Sequence, residues 1–229
     1  YLADSFNKRV RRIDGHTGII TTVLANADSV VSVVTDPKDN LYVGVTTFDS
    51  ASGSQSNSIV KLSSTGQLLQ SWGKGYGFSE DGSPAATTAI CQSTRLALDH
   101  SGNILFGEFC SNRIRRINIS TGLLETVAGM GPHIIGESGP ALETVVNDPG
   151  TDLVFLPGGD LLTGEGSNNR IRRLDQDGNV QDFAGTGFGG PNGKDGGSAL
   201  QYSMAVWGIA LAPNDDILVD LSLIGRIDS

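Results

Sequence analysis

The stretch SNNRIRRLDQDGN, residues 167–179, places three arginines within four residues of a chain whose formal net charge is −9. Read alone, it suggests a phosphate or nucleic-acid site. Its copies change that reading. FNKRVRRIDGHTG stands at 6–18, SNSIVKLSSTG at 56–66, SNRIRRINISTG at 111–122 and IGRIDS at 224–229. Anchored on Val10, Ile59, Ile114, Ile171 and Ile224, the copies recur at spacings of 49, 55, 57 and 53 residues. Recurrence at this length marks a repeat architecture.

Each complete copy stands in the same setting. An apolar strand, a turn and a second strand precede it: SVVTDPKDNLYVGV (32–45), RLALDHSGNILFGEF (95–109), DLVFLPGGDLLTGEG (152–166) and GIALAPNDDILVDLS (208–222). A turn and a fourth short strand follow: IITTVLA (19–25), QLLQSWG (67–73), LLETVAG (123–129) and VQDFAGTG (180–187). Asp, Pro, Gly and Asn punctuate the junctions, and helical periodicity is absent. Four short antiparallel strands per unit of this size describe one blade of a β-propeller, so the expected class is all-β. The blades are expected at 1–25, 30–73, 94–129, 151–187 and 207–229, the first and last incomplete, giving about four and a half.

These residues carry a family resemblance. The chain resembles NHL-repeat propellers through EDGSPAATTA (80–89), LALDHSGNILFGE (96–108), SNRIRRI (111–117), ETVAG (125–129), GESGPA (136–141) and GKDGGSA (193–199). The resemblance covers essentially the whole chain and implies a propeller, most often six-bladed. Both partial blades contain second and third strands, so they do not complete each other. The ring is expected to close through residues outside this chain, and the chain, which opens at Tyr1 inside a strand, is expected to be an excerpt of a longer polypeptide.

Charge narrows the function classes. A chain of net charge −9 and pI 4.7 repels nucleic acid and anionic membranes at long range. No apolar run approaches the roughly 20 residues that span a bilayer. Neither nucleic acid nor membrane insertion is therefore expected, and Lys74 and Lys194 are notable among the few cations in the long connections.

The arginines read as architecture. Asp4, Glu108 and Glu165 stand six positions before the anchors Val10, Ile114 and Ile171. Each ends a second strand beside a third strand carrying Arg11 and Arg12, Arg115 and Arg116, or Arg172 and Arg173. A guanidinium inside a stacked blade needs a carboxylate. The expected ion-pair residues are Asp4 with Arg12, Glu108 with Arg116, and Glu165 with Arg173. Val45 and Leu221 break the pattern in blades two and five, as a drifting scaffold would.

The two cysteines, Cys91 and Cys110, flank the first hairpin of blade three, and a disulfide between them is expected. A disulfide places a protein outside the cytosol. Asn118-Ile119-Ser120 is a glycosylation sequon in the turn between third and fourth strands, which points the same way. An extracellular or cell-surface location follows as the expectation.

Other motifs carry less. GTGFGG (185–190) matches a dinucleotide fingerprint, but loop rather than helix follows it. DQDG (175–178) and PNDD (213–216) are hairpin turns, where Asp is expected without calcium. His16 and His100 fall in the short turns and His133 in a long connection, so they do not form a three-ligand set on one face. This bears on propeller lyases that cleave amidated-peptide precursors, which resemble NHL proteins and use histidine-bound metal. No metal, cofactor or catalytic group is assigned.

The long connections, 46–58, 74–93, 130–150 and 188–206, all fall at one end of the blades. Two readings stand side by side: they bind partners, or they pack over the blades and seal them. The expected function is a non-enzymatic extracellular propeller that mediates protein–protein interaction or self-assembly, as a module of a surface protein or filament. The alternative is a lyase- or hydrolase-type propeller enzyme whose site lies in blades outside this chain.

Overall fold

A computed structural model describes residues 1–25, 27–91, 93–130, 138–188, 196–220 and 224–228, with the backbone alone at 93, 94, 150 and 151. The chain is all-β. The first sheet holds β1 (Leu2–Asp4), β2 (Arg9–Ile13) and β3 (Ile20–Leu24) in sequence order. The second holds β4 (Ser29–Thr35), β5 (Leu41–Asp49), β6 (Ser54–Leu62) and β7 (Leu68–Trp72). The third holds β8 (Ser93–Leu98), β9 (Ile104–Glu108), β10 (Arg113–Ile117) and β11 (Leu124–Ala128). A two-residue strand, β12 (Gly139–Pro140), then joins the outer edge of the fourth sheet. That sheet runs β13 (Pro149–Phe155), β14 (Leu161–Glu165), β15 (Arg170–Leu174) and β16 (Asn179–Ala184). The fifth holds β17 (Gly208–Leu211), β18 (Ile217–Asp220) and β19 (Ile224–Ile227). Five small meandering sheets are the blades of a β-propeller.

The chain divides into two compact units, Tyr1–Ile104 with Ile117–Glu125, and Leu105–Arg116 with Thr126–Ser229. In the first, Val10 of blade one packs with Val30, Leu41, Val43 and Leu62 of blade two. In the second, Leu162, Ile171 and Ala184 of blade four pack with Ile209, Ile217 and Val219 of blade five, and with Met204 and Val206 of the connection between them. Sheets covered on both faces need apolar residues on both. Accordingly all five residues of β9 and of β14 are buried, rather than alternate ones.

The short turns are closed by side chains. Between first and second strands, Asp36 accepts from the amides of Lys38 (3.0 Å) and Asn40 (2.9 Å), and Asp99 from those of Ser101 and Asn103 (both 2.9 Å). Between third and fourth strands, Asp14 accepts from the amides of His16 and Thr17, Ser63 from those of Thr65 and Gln67, and Asp175 from that of Asn179. These are the local bonds that make Asp, Asn and Ser turn formers.

One connection differs from expectation. Residues 46–58 are not a loop: β5 and β6 continue through them in register, from Thr46 opposite Asn57 to Asp49 opposite Ser54. The polar, Ser-rich sequence of this arm hides strand pairing, because both of its faces need not be buried.

Candidate interaction surface

The site is built on a turn that recurs with the arginines. After β9, Phe109–Ser111 forms a single 3-10 turn, and Asn112 closes it in the left-handed region at φ 50°. After β14, Gly166–Asn168 and Asn169 at φ 52° do the same. Asparagine tolerates this conformation, which is why SNR and NNR recur. Lys8, at φ 58°, holds the position in blade one.

The acidic residue ending each second strand ties this turn to the third strand. Glu108 accepts from the Ser111 hydroxyl (2.6 Å) and from Arg115 Nη1 (3.0 Å), and both charged side chains are fully buried. Glu165 accepts from Asn168 Nδ2 (2.9 Å) and Arg170 Nε (3.1 Å), and lies 3.5 Å from Arg172 Nη1. Asp182 of β16 completes the network, 3.2 Å from Arg170 and 3.0 Å from Arg172. Burial lowers the pKa of Arg172, and the carboxylates of Glu165 and Asp182 act against that shift. Two arginines matched by two carboxylates form a charge-balanced frame, buried at Glu165, Arg170 and Arg172 and open to solvent at Asp182, rather than a ligand site.

The arginine assignments shift by one residue. Glu165 pairs with Arg170 and Arg172, whereas Arg173 pairs with Asp160 at the far end of the strand. In blade three Glu108 bonds Arg115. In blade one Asp4 accepts from Asn7 Nδ2 (2.8 Å), and no ion pair to Arg12 occurs among the described residues. The reason is strand alternation. Glu165 lies opposite Arg170 and Thr163 opposite Arg172, so these share a face, while Arg173 lies opposite Leu162 on the other. Counting six residues from the anchor leaves the face undetermined. The second class of pair, Arg173–Asp160, recurs as Lys61–Asp36 and Arg226–Asp216.

Both cysteines, Cys91 and Cys110, are disulfide-bonded, and the chain has no others. Asn118 is half-buried. Its Nδ2 donates to Glu125 (3.2 Å) and its Oδ1 accepts from Ser120 and Thr121, so it is the turn-closing residue of blade three, like Asp14 and Asp175 elsewhere. His16 and His100 lie in the short turns, and His133 and Lys194 lie outside the described residues. Among the described residues no three metal-ligating side chains converge.

The connections at the turn end described first do two things. Parts of them seal the blades. Ala85, Ile90 and Cys91 in one, and Ala141 and Val146 in another, are buried. Gly73, Gly129 and Gly185, each just past a fourth strand, donate to the carbonyls of Ala85, Ala141 and Ala199 at 2.8, 2.9 and 2.9 Å. A side chain at Gly129 would meet Asn112 O at 2.2 Å, and one at Gly185 would meet Asn169 O at 2.4 Å, so the strand end rests directly on the recurrent turn.

Other parts carry exposed aromatics. Five of the eight phenylalanines are exposed: Phe6, Phe48, Phe78, Phe109 and Phe188. Tyr76 and Trp207 join them. All seven lie between second and third strands or between one blade and the next. In the first unit, Phe6 stands fully exposed on the recurrent turn of blade one, Phe48 near the tip of the β5–β6 arm, and Tyr76 and Phe78 beyond β7. In the second, Phe109 opens the 3-10 turn, Phe188 follows β16 and Trp207 precedes β17. Isolated exposed apolar residues are ordinary. Tyr1 is exposed at the short-turn end, where its hydroxyl donates to Asp39, but four aromatics of the first unit, Phe6, Phe48, Tyr76 and Phe78, fall in its connections, and aromatic side chains dominate binding energetics where they are buried by a partner. The sequence signal was available: phenylalanine between, rather than within, the apolar strands.

No family model matches the chain, and no curated protein does. Solved structures do. The chain is similar to virginiamycin B lyase from Staphylococcus aureus, at 17% identity and TM-score 0.53 over 86% of this chain and 52% of that one. It is similar to an auxiliary nutrient binding protein from Bacteroides ovatus, at 14% identity and TM-score 0.58 over 97% and 65%. It is also similar to the extracellular domain assigned to a one-component system of B. thetaiotaomicron, at 13% identity and TM-score 0.54 over 97% and 25%. The fold is shared. The chain spans 52% of the first of these structures, and at such identities the likeness establishes fold alone.

Proposed function

We propose that the chain is a non-enzymatic, extracellular β-propeller segment that binds protein partners through its aromatic-bearing connections. One observation carries this reading: Phe6, Phe48, Tyr76 and Phe78 stand exposed in the connections of the first unit, while its short turns are closed by their own side chains. Rigid scaffolds commonly present binding groups in this way. The disulfide supports a location outside the cytosol, as does the likeness to an extracellular domain. A lyase reading draws on the likeness to virginiamycin B lyase, and among the described residues no group of three His, Cys, Asp or Glu side chains that could hold a metal ion adds to it.

The test is a variant with Phe6, Phe48, Tyr76 and Phe78 changed to Ser. A partner retained by the wild-type chain and lost from the variant, with Tm unchanged, supports the proposal. Equal retention by both overturns it. Turnover of a substrate at these connections would overturn the non-enzymatic part.

A further inference from the structure

Asn118 combines two properties that the other turns between third and fourth strands do not. It closes its turn, and it opens the chain's single N-x-S/T sequence, Asn118-Ile119-Ser120. The other turns act as internal controls. Asp14 accepts from the amides of His16 and Thr17, Ser63 from those of Thr65 and Gln67, and Asp175 from that of Asn179. Each of these does so through a side-chain oxygen, and none has a side-chain nitrogen. The turn therefore needs an oxygen acceptor, and Asn118 provides one. Its Oδ1 accepts from the amides of Ser120 (3.1 Å) and Thr121 (3.2 Å) and from the Ser120 hydroxyl (2.7 Å).

The amide nitrogen is surplus to that task. Nδ2 carries two hydrogens, and a single bond to Glu125 Oε1 (3.2 Å) uses one of them. The surroundings leave room for a substituent on the other. Ile119, Ser120 and Thr121 are exposed, and a side chain at Gly122 would meet nothing within 4 Å. The turn is nevertheless fixed from behind. The Ile119 amide donates to Asn103 Oδ1 (3.0 Å), and Asn103 Nδ2 donates to Asp99 (2.8 Å) in the hairpin turn of the same blade.

We infer that Asn118 is an N-glycosylation site, whose oxygen closes the turn while its nitrogen carries the glycan. The step is a group transfer from a lipid-diphosphate-linked oligosaccharide. Nδ2 attacks the anomeric carbon and a C–N bond forms. The anomeric C–O bond breaks, its electrons leave with the lipid diphosphate, and a base of the transferase takes one Nδ2 proton. Oδ1 remains an acceptor and the second N–H remains a donor to Glu125, so the folded turn accommodates the product. Glycans are bulky and solubilising, and surface loops of secreted proteins take them. This one would stand at the short-turn end beside Ile119 and leave the connections bearing Phe6, Phe48, Tyr76 and Phe78 clear. The inference rests on the extracellular location proposed above.

The experiment separates the two by supplying secretion. The 229-residue chain is expressed behind a cleaved secretion leader in a eukaryotic host, and its intact mass is read before and after an amidase that releases N-linked glycans. The wild-type chain and Ser120→Thr are expected to carry a glycan that the amidase removes, and Asn118→Asp and Ser120→Ala to run at the bare polypeptide mass. Ser120→Ala keeps the whole Asn118 side chain and should melt with the amidase-treated wild type, whereas Asn118→Ala, which removes the oxygen, should melt lower. A secreted wild-type chain at bare mass, or a glycan that persists in Asn118→Asp, overturns the inference without touching the proposed location. Asn118→Ala melting with the amidase-treated wild type overturns the role given to the oxygen.

Discussion

Blades four and five share a motif and differ in its surroundings. In β15 the anchor Ile171 is sealed between sheets and under β16, and Arg172 lies fully buried between Glu165 and Asp182. In β19 the anchor Ile224 faces solvent, Gly225 stands where blade four has Arg172, and Arg226, the counterpart of the 40% exposed Arg173, is 62% exposed beside Asp216 and Asp228. The anchors are of the same type and differ in burial, whereas the arginines differ by the strand face they stand on, so the motif alone says nothing about burial or energy.

The largest effect expected from this contrast concerns the anchors. Ile171→Ala is expected to cost about 2–5 kcal/mol, since it leaves a cavity in a packed core, while Ile224→Ala stays within about 0.5 kcal/mol. Urea unfolding of the two variants checks it, and similar losses would break the comparison. Next comes the strand end. Gly185 holds φ 94° with Asn169 O where a side chain would go, so Gly185→Ala should cost about 2–3 kcal/mol. Gly178→Ala, with open space around it but φ 81°, should cost about 1 kcal/mol. The smallest effect is electrostatic. Burial opposes ionisation of Asp36, but bonds from Asn40 and Lys38 and the charge of Lys61 outweigh it and hold its pKa below the ordinary value. A lowered folded pKa contributes stability above the unfolded pKa and loses it as pH falls through the folded one. Asp36→Asn should therefore cost up to about 1 kcal/mol at pH 7 and progressively less as pH falls through the lowered folded pKa of Asp36, a convergence that thermal melts from neutral to acid pH would reveal.

Much of the fold was legible because a blade repeats its punctuation. The anchors, the turn residues and the closing glycines recur at intervals that only a repeated sheet explains. The disulfide was legible because the hairpin of blade three brings two lone cysteines to one end. The ion pairs were half legible: Glu108 and Glu165 announced buried carboxylates, but whether they meet Arg172 or Arg173 depends on strand register, which a bulge between Ile171 and Arg172 on the β16 side also perturbs. The arm from Thr46 to Asn57 was not legible, since its Ser-rich sequence has the composition of a loop. The exposure of the aromatics was not legible, since Phe6 and Phe109 adjoin the same arginine-bearing strands whose own residues the fold partly buries, and composition does not tell which of the two faces solvent.

The exposed aromatics of the connections and the arginine frame divide the labour between them only if the arginines are architecture. The direct measurement is the unfolding free energy of Arg172→Met against that of Arg226→Met. Removing Arg172 leaves the fully buried Glu165 with Arg170 as its remaining ion-pair partner and should cost about 3 kcal/mol, whereas removing the exposed Arg226 should cost less than about 1 kcal/mol. Equal and small losses for both, with the wild-type chain binding phosphate and Arg172→Met failing to, would contradict the account and return the motif to the role it suggests when read alone.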